Sequence, residues 1–208
     1  LGNAGGAVAG ALAKKTKVVG FDPSPERCMN AKGLGVDCVD SVEELVEKTD
    51  HIILSLPKPE ISIAVTKSLC DGASTPKLLI ETSTVTPQTA VTCDNLCKQK
   101  QIAYVDAAIA GGVASMAAGE ITFFLGGAVE NKKLAHGILS LIAAGIYDLG
   151  PVGAGMGTKV VNNGVMHALM VVLIEAFSMS NKLGVSSQTM IEILNREEGL
   201  LRPLVHRV

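Results

Sequence analysis

Leu1-Gly2-Asn3-Ala4-Gly5-Gly6 opens onto small residues as far as Lys15, then Lys17-Val18-Val19-Gly20-Phe21, and closes on Asp22. In order, this reads as a helix of small side chains, about Ala4–Lys15, a strand over Lys17–Phe21, and a carboxylate at the strand's end. Gly2-Asn3-Ala4-Gly5 matches the last two glycines of a G-x-G-x-x-G pattern. The first glycine and the strand carrying it would precede Leu1, so residues are expected upstream, with any targeting peptide among them. Glycine at such a turn lets the backbone approach a pyrophosphate, whose charge the amides of the helix start receive. Tight packing of a helix on a strand would ask for the same small residues. Asp22, twenty positions after Gly2, adds a second mark, because a strand-end carboxylate there accepts hydrogen bonds from ribose hydroxyls. A carboxylate repels a 2′-phosphate, which favours NAD; Arg27, close in sequence, keeps NADP as the alternative.

Beyond Asp22 the alternation continues. Ser24-Pro25-Glu26 supplies an N-cap, a proline at the first helical position and an early acid. Val36–Val39 is a short strand, and Ser41-Val42-Glu43-Glu44 is a capping box. His51–Leu56 is a continuous apolar strand ended by Pro57, Lys77–Ile80 another, and Thr86-Pro87 starts a further helix. Gln101–Asp106, Ile121–Leu125 and Ile146–Leu149 complete the strands, the last two flanking a helix near Asn131–Ala143. Continuous Val/Ile/Leu runs, each followed by a capped helix, predict an α/β fold with a doubly wound, mostly parallel sheet covered on both faces. After Gly150-Pro151 the strands stop. One long apolar helix follows, interrupted by Gly164 and ended near Gly184, then a second at Ser187–Asn195. Residues 1–150 form the expected dinucleotide-binding domain and 151–208 the start of an all-α domain. About fifty helical residues cannot close a core alone, so that domain is expected to be incomplete and to bury its apolar surface in a homo-oligomer.

The composition narrows the function. Of 208 residues, 48% are apolar and 18% charged, with 18 basic against 20 acidic side chains and a net charge of −2. The charge balance argues against nucleic-acid binding, which shows as a basic excess, and 3% aromatic residues argue against stacking platforms. Five cysteines form no even framework, which fits thiols kept reduced, in the cytoplasm, or in mitochondria if a transit peptide preceded Leu1. Cys93 and Cys97 lie one helical turn apart, yet no cluster at ligand spacing joins them, so no metal is expected. No uninterrupted apolar run approaches the ~20 residues that cross a bilayer, so no membrane is expected either. Ala168–Ile174, between His167 and Glu175, reads as a buried helix. Met166, Met170 and Met179 read as core filler, His167 as core, Glu175 as a structural hydrogen-bond former, and His51 as an edge histidine.

In the later part, Gly153-Ala154-Gly155-Met156-Gly157-Thr158-Lys159 runs into Val160-Val161-Asn162-Asn163. Lys159 and Asn163 are i and i+4, on one helix face. A lysine among such apolar neighbours is either snorkelling at the helix start or held for chemistry; spacing alone leaves both open.

The loop at Gly2–Gly5, the strand end Leu56-Pro57, Thr82-Ser83-Thr84-Val85-Thr86-Pro87, Asp106-Ala107-Ala108-Ile109-Ala110-Gly111-Gly112 and Gly153–Asn163 follow the order seen in β-hydroxyacid dehydrogenases, which the chain resembles throughout. The resemblance implies a Rossmann-type nucleotide domain and hydride transfer between NAD(P) and a small β-hydroxyacid or its semialdehyde. It implies Lys159 as general acid/base and Asn163 as its substrate-binding neighbour. Gly2, Asn3, Ala4, Gly5 and Asp22 would hold the dinucleotide, and Leu56, Pro57 and Thr84 would line its nicotinamide side. Ala110, Gly111 and Gly112 would receive the substrate carboxylate. The family commonly reads Asp-Ala-Pro-Val-Ser-Gly-Gly here; Ala108 and Ala110 replace the proline and serine. Losing that hydroxyl removes a hydrogen bond worth about 1–3 kcal/mol if its partner stays buried. The chain also stops before the helices that carry a further substrate-side lysine in the family. Two other readings remain. A non-catalytic dinucleotide module is suggested by Ala110. A 6-phosphogluconate-type dehydrogenase is opposed by the absence of Lys or Arg from Ala107–Ala118.

Overall fold

A computed structural model describes residues 1–196; the end of the expected helical domain, 197–208, lies outside the described residues. The elements run α1 (Asn3–Ala13), β1 (Val19–Gly20), α2 (Pro25–Lys32), β2 (Asp37–Cys38), α3 (Val42–Lys48), β3 (His51–Leu54), α4 (Pro59–Asp71), β4 (Leu78–Glu81), α5 (Pro87–Gln99) and β5 (Ala103–Ala110). They continue as α6 (Val113–Ala118), β6 (Ile121–Gly126), α7 (Val129–Leu139), β7 (Ala143–Asp148), α8 (Ala154–Lys182) and α9 (Ser187–Leu194).

β1 and β2 pair in parallel, and the other strands line up β3-β4-β5-β6-β7. Neighbours there are parallel except β5 and β6, which are antiparallel. The sheet is therefore mixed, α/β and mostly parallel, as expected. Strand residues alternate between two apolar clusters. Leu78, Ile80, Val105 and Ala107 pack with α1, α6 and α7, while Leu79, Tyr104 and Ala108 pack with α4 and α5. Both faces are covered, which is why these strands read as unbroken apolar runs.

Local signals explain several helix starts. Ser24, Ser41 and Thr86 each accept a backbone N–H from three residues on, and prolines open α2 and α5. Glu44 reaches back to the amide of Asp40 at 3.1 Å, one residue earlier than a capping box requires. The expected helix to Ala143 ends at Leu139, and Ala143–Asp148 is strand. Pairing with β6 overrides the helical propensity of Ala143 and Ala144, at the cost of a register irregularity beside Ile121. His51 lies exposed on the edge strand β3, as its sequence position suggested.

Contacts divide the chain into a unit over Leu1–Val160 and a second beginning at Val161. In the second unit the expected burial is not found. Met170, Val171, Val172 and Ile174 are more than half exposed, and so are Met166 and Met179. His167 and Glu175 are exposed as well, so neither is core and the Glu175 carboxylate is left to water. Apolarity marks a surface for burial without supplying what covers it, and nothing among the described residues covers this one. By length and composition α8 also suffices to cross a membrane, although Asn162-Asn163, His167 and Glu175 interrupt its apolar run.

Candidate active site

In the sheet, Leu54 pairs with Glu81 and Glu81 with Asp106. The residues beyond this row, Ser55–Pro57 after β3, Thr82–Thr84 after β4, and Ala107–Ala110 at the end of β5 with Gly111 and Gly112 after it, therefore lie at the carboxyl ends of the strands. That edge is where open α/β sheets take ligands. The start of α1 reaches the same edge. A Cβ on Gly5 would stand 3.0 Å from the Cβ of Ser55, so a side chain there would push the helix off β3. The N-cap, Gly2, makes no side-chain capping bond, and the first intrahelical bond runs from Gly6 N–H to Gly2 O at 2.6 Å. The amides of Asn3, Ala4 and Gly5 are the ones that the helix does not use, and they favour an anion.

Asp22 follows β1 beside this loop. Its carboxylate accepts Ser24 N–H at 2.9 Å, with the Arg27 guanidinium 3.6 Å away. Burial pushes the carboxyl upward, while the Ser24 N–H bond and the Arg27 charge pull it down. Arg27 Nη1 would also lie 3.7 Å from a Cβ on Gly2. An acid of the kind that disfavours a 2′-phosphate and a cation of the kind that accepts one thus lie beside the loop.

Three consecutive hydroxyls after β4 have different partners. Thr82 donates to Leu54 O at 2.7 Å, and Ser83 accepts Leu56 N–H at 2.7 Å. Thr84 accepts from Lys159 Nζ at 3.3 Å. The first two tie the β4 loop to the β3 loop and place Leu56; the third meets the lysine. Behind them Glu81, fully buried, accepts Ser83 N–H at 2.8 Å. Burial raises its carboxyl above the ordinary range, and the buried Asp106 across the ladder adds to the rise.

Lys159 lies in the second turn of α8, half-buried, and burial lowers its ammonium from the ordinary lysine value. Its amine turns to Thr84 in a contact open to solvent, so both readings from spacing stand. α8 itself starts on Asp106, whose carboxylate accepts Gly153 N–H at 2.8 Å and Met156 N–H at 2.9 Å. Gly155 is required there, since a Cβ would sit 2.2 Å from Phe124 O. Ala110, the last residue of β5, is half-buried, while Gly111 and Gly112 after it are exposed, Gly111 at a φ of 127° that favours glycine.

The structure thus gathers Gly2–Gly5, Leu56, Pro57, Thr84, Ala110–Gly112 and Lys159 at one sheet edge or on the segments leading from it. Asn163 follows on α8, exposed, in the second unit. Sequence reasoning gave no separate role to Thr82, Ser83, Glu81 or Asp106. Thr82, Ser83 and Asp106 stood in quoted motifs, but their partners are 27 to 50 residues away and cannot be read from spacing.

A family profile described as the NAD binding domain of 6-phosphogluconate dehydrogenase matches residues 1–153. A probable 3-hydroxyisobutyrate dehydrogenase of Mycobacterium tuberculosis is 31% identical over 200 residues, spanning 96% of this chain and 68% of the relative. The mitochondrial 3-hydroxyisobutyrate dehydrogenase of Rattus norvegicus is 28% identical over 203 residues, spanning 96% and 61%. The solved Mycobacterium tuberculosis 3-hydroxyisobutyrate dehydrogenase with L-serine superimposes with a TM-score of 0.88 at 30% identity, over 100% of this chain and 71% of that one. An imine reductase from Pseudomonas sp. shares the fold, with a TM-score of 0.80 at 20% identity. With a nucleotide-domain profile over most of its length and these relatives, the chain belongs to the β-hydroxyacid dehydrogenase family.

Proposed function

We propose that this chain provides the nucleotide-binding domain, residues 1–150, and the opening helices, 151–208, of an NAD(P)-dependent dehydrogenase for a short β-hydroxyacid or its semialdehyde. The observation that carries this is Lys159: a partly desolvated amine beside Thr84, at the strand ends where a dinucleotide-binding sheet takes its ligand. The free amides of Asn3, Ala4 and Gly5 fit a pyrophosphate, and Asp22 fits ribose hydroxyls. Nicotinamide, when bound, supplies or accepts the hydride. Leu56, Pro57 and Thr84 would flank it, and the amides of Gly111 and Gly112 beside Ala110 would hold the substrate carboxylate, with Asn163 orienting the substrate. Lys159 Nζ moves the proton at the substrate oxygen, taking it during oxidation and returning it during reduction. The solved relative was obtained with L-serine, itself a 3-hydroxy acid, which supports this substrate class.

Lys159→Ala is expected to abolish turnover of short hydroxyacids, measured as NADH formation, while NAD affinity by calorimetry stays within about twofold. Full activity in that variant ends the proposal. Ala110 favours one rival, a dinucleotide module without catalysis. If activity appears only after Ala110→Ser, the unmodified chain is that module. We further assign the exposed apolar side chains of α8 to contact with a second copy rather than to a membrane. We place the protein in the cytoplasm, or in mitochondria as the rat relative is named, with no nucleic-acid partner.

A further inference from the structure

We infer that Asp106 is a positioning residue for Lys159, its carboxylate fixing the first turn of α8 on the sheet and so setting where the amine is delivered. The inference rests on the proposed role of Lys159. Asp106 is fully buried in β5. Each of its oxygens has its own amide, Oδ1 that of Gly153 and Oδ2 that of Met156. These bonds span 47 and 50 residues of sequence, whereas the neighbouring bonds, Ala154 N–H to Pro151 O and Gly157 N–H to Gly153 O, stay within the turn itself. Gly155 fits the same seat, because its Cβ position lies 2.9 Å from Oδ2 and 3.0 Å from Asp106 O. Met156, on the bonded turn, is buried in the cluster beneath α4 and α5.

From Met156 to Lys159 is under one helical turn, with rise ~1.5 Å per residue. A shift at the seat therefore reaches the amine almost undiminished, and misplacing a reacting group by ~1 Å costs about a hundredfold in rate. Charge is not the route. The lowered titration of Lys159 has burial as its cause, so the carboxylate acts on placement. Asp106→Asn keeps one acceptor and Asp106→Ala keeps none, and the effect should grade in that order.

The test uses the full chain with NAD and short hydroxyacids. Asp106→Ala is expected to lower kcat about a hundredfold and Asp106→Asn about tenfold, while KM and NAD affinity move by less than about threefold. Placement is read without activity in a Thr84→Cys background, where o-phthalaldehyde bridges an adjacent amine and thiol as a fluorescent isoindole. Peptide mapping should find the Lys159–position 84 bridge, and adding Asp106→Ala should remove it. Retained kcat together with a retained bridge overturns the inference, as does a kcat loss matched by an equal loss of NAD affinity. If Asp106→Ala does not fold, Asp106→Asn decides by the same readouts. If the unmodified chain oxidises no hydroxyacid, the functional reading fails, and the bridge still reports whether Asp106 places the amine.

Discussion

A lysine amine is a proton carrier near neutrality only when its charged form is made expensive. At Lys159 burial does this, favouring the neutral amine. Oxidation needs that neutral form to take the alcohol proton, and reduction needs the charged form to give it back. Oxidative kcat/KM should therefore rise with pH and level off below the ordinary lysine value of about 10.4, while reductive kcat/KM falls through the same pH. A pH–rate profile in both directions checks this, and Lys159→Arg, whose group stays protonated, should show neither limb. Thr84→Val removes the acceptor for the amine and should cost several-fold in kcat, about 1 kcal/mol, with Thr84→Ser restoring it. At this scale the sequence disclosed the residue type and the i, i+4 spacing. It did not disclose the partner, because Thr84 is 75 residues away.

Helices and strands were legible where their causes are local. The caps at Ser24, Ser41 and Thr86 and the prolines after two of them lie within a turn of what they control. Thr86→Ala should lose about 1 kcal/mol of stability in urea unfolding, the usual cost of an N-cap. The β7 strand was misjudged over Ala143–Gly145 because its cause is the neighbouring β6 strand and not its own composition. The seat of α8 was likewise invisible, since it joins two stretches through a buried carboxylate. Gly155→Ala forces a methyl against Phe124 O and should destabilise by about 1–3 kcal/mol, read as a lower urea midpoint, with dehydrogenase activity lost in step.

The central strands of the first unit were readable because a sheet buried on both sides writes its strands as apolar runs, and both clusters carry those runs. The exposure of α8 was not, because its surface matches no cover among the described residues. Inside the sheet the fold also holds a carboxyl in an apolar setting, Glu81, raised by burial. A raised carboxyl stabilises fully below its unfolded value of about 4.3, and that contribution is lost as pH climbs through the folded value. Glu81→Gln should therefore gain stability relative to the unmodified chain as pH climbs through that window and keep a constant gain above it, followed as the difference in Tm across a pH series.

Because β4 sends Leu78 and Ile80 to one face and Leu79 and Glu81 to the other, its tolerance to change is of two kinds. Exchanging one aliphatic side chain for another leaves the pattern intact. Inserting or deleting a single codon inside Leu78–Glu81 would turn every later side chain over, carrying the acid into one oily layer and shifting the three hydroxyls off their hydrogen-bond partners. Descendants of this gene should thus vary freely in spelling across the strand yet keep its length, with gaps confined to the flanking turns.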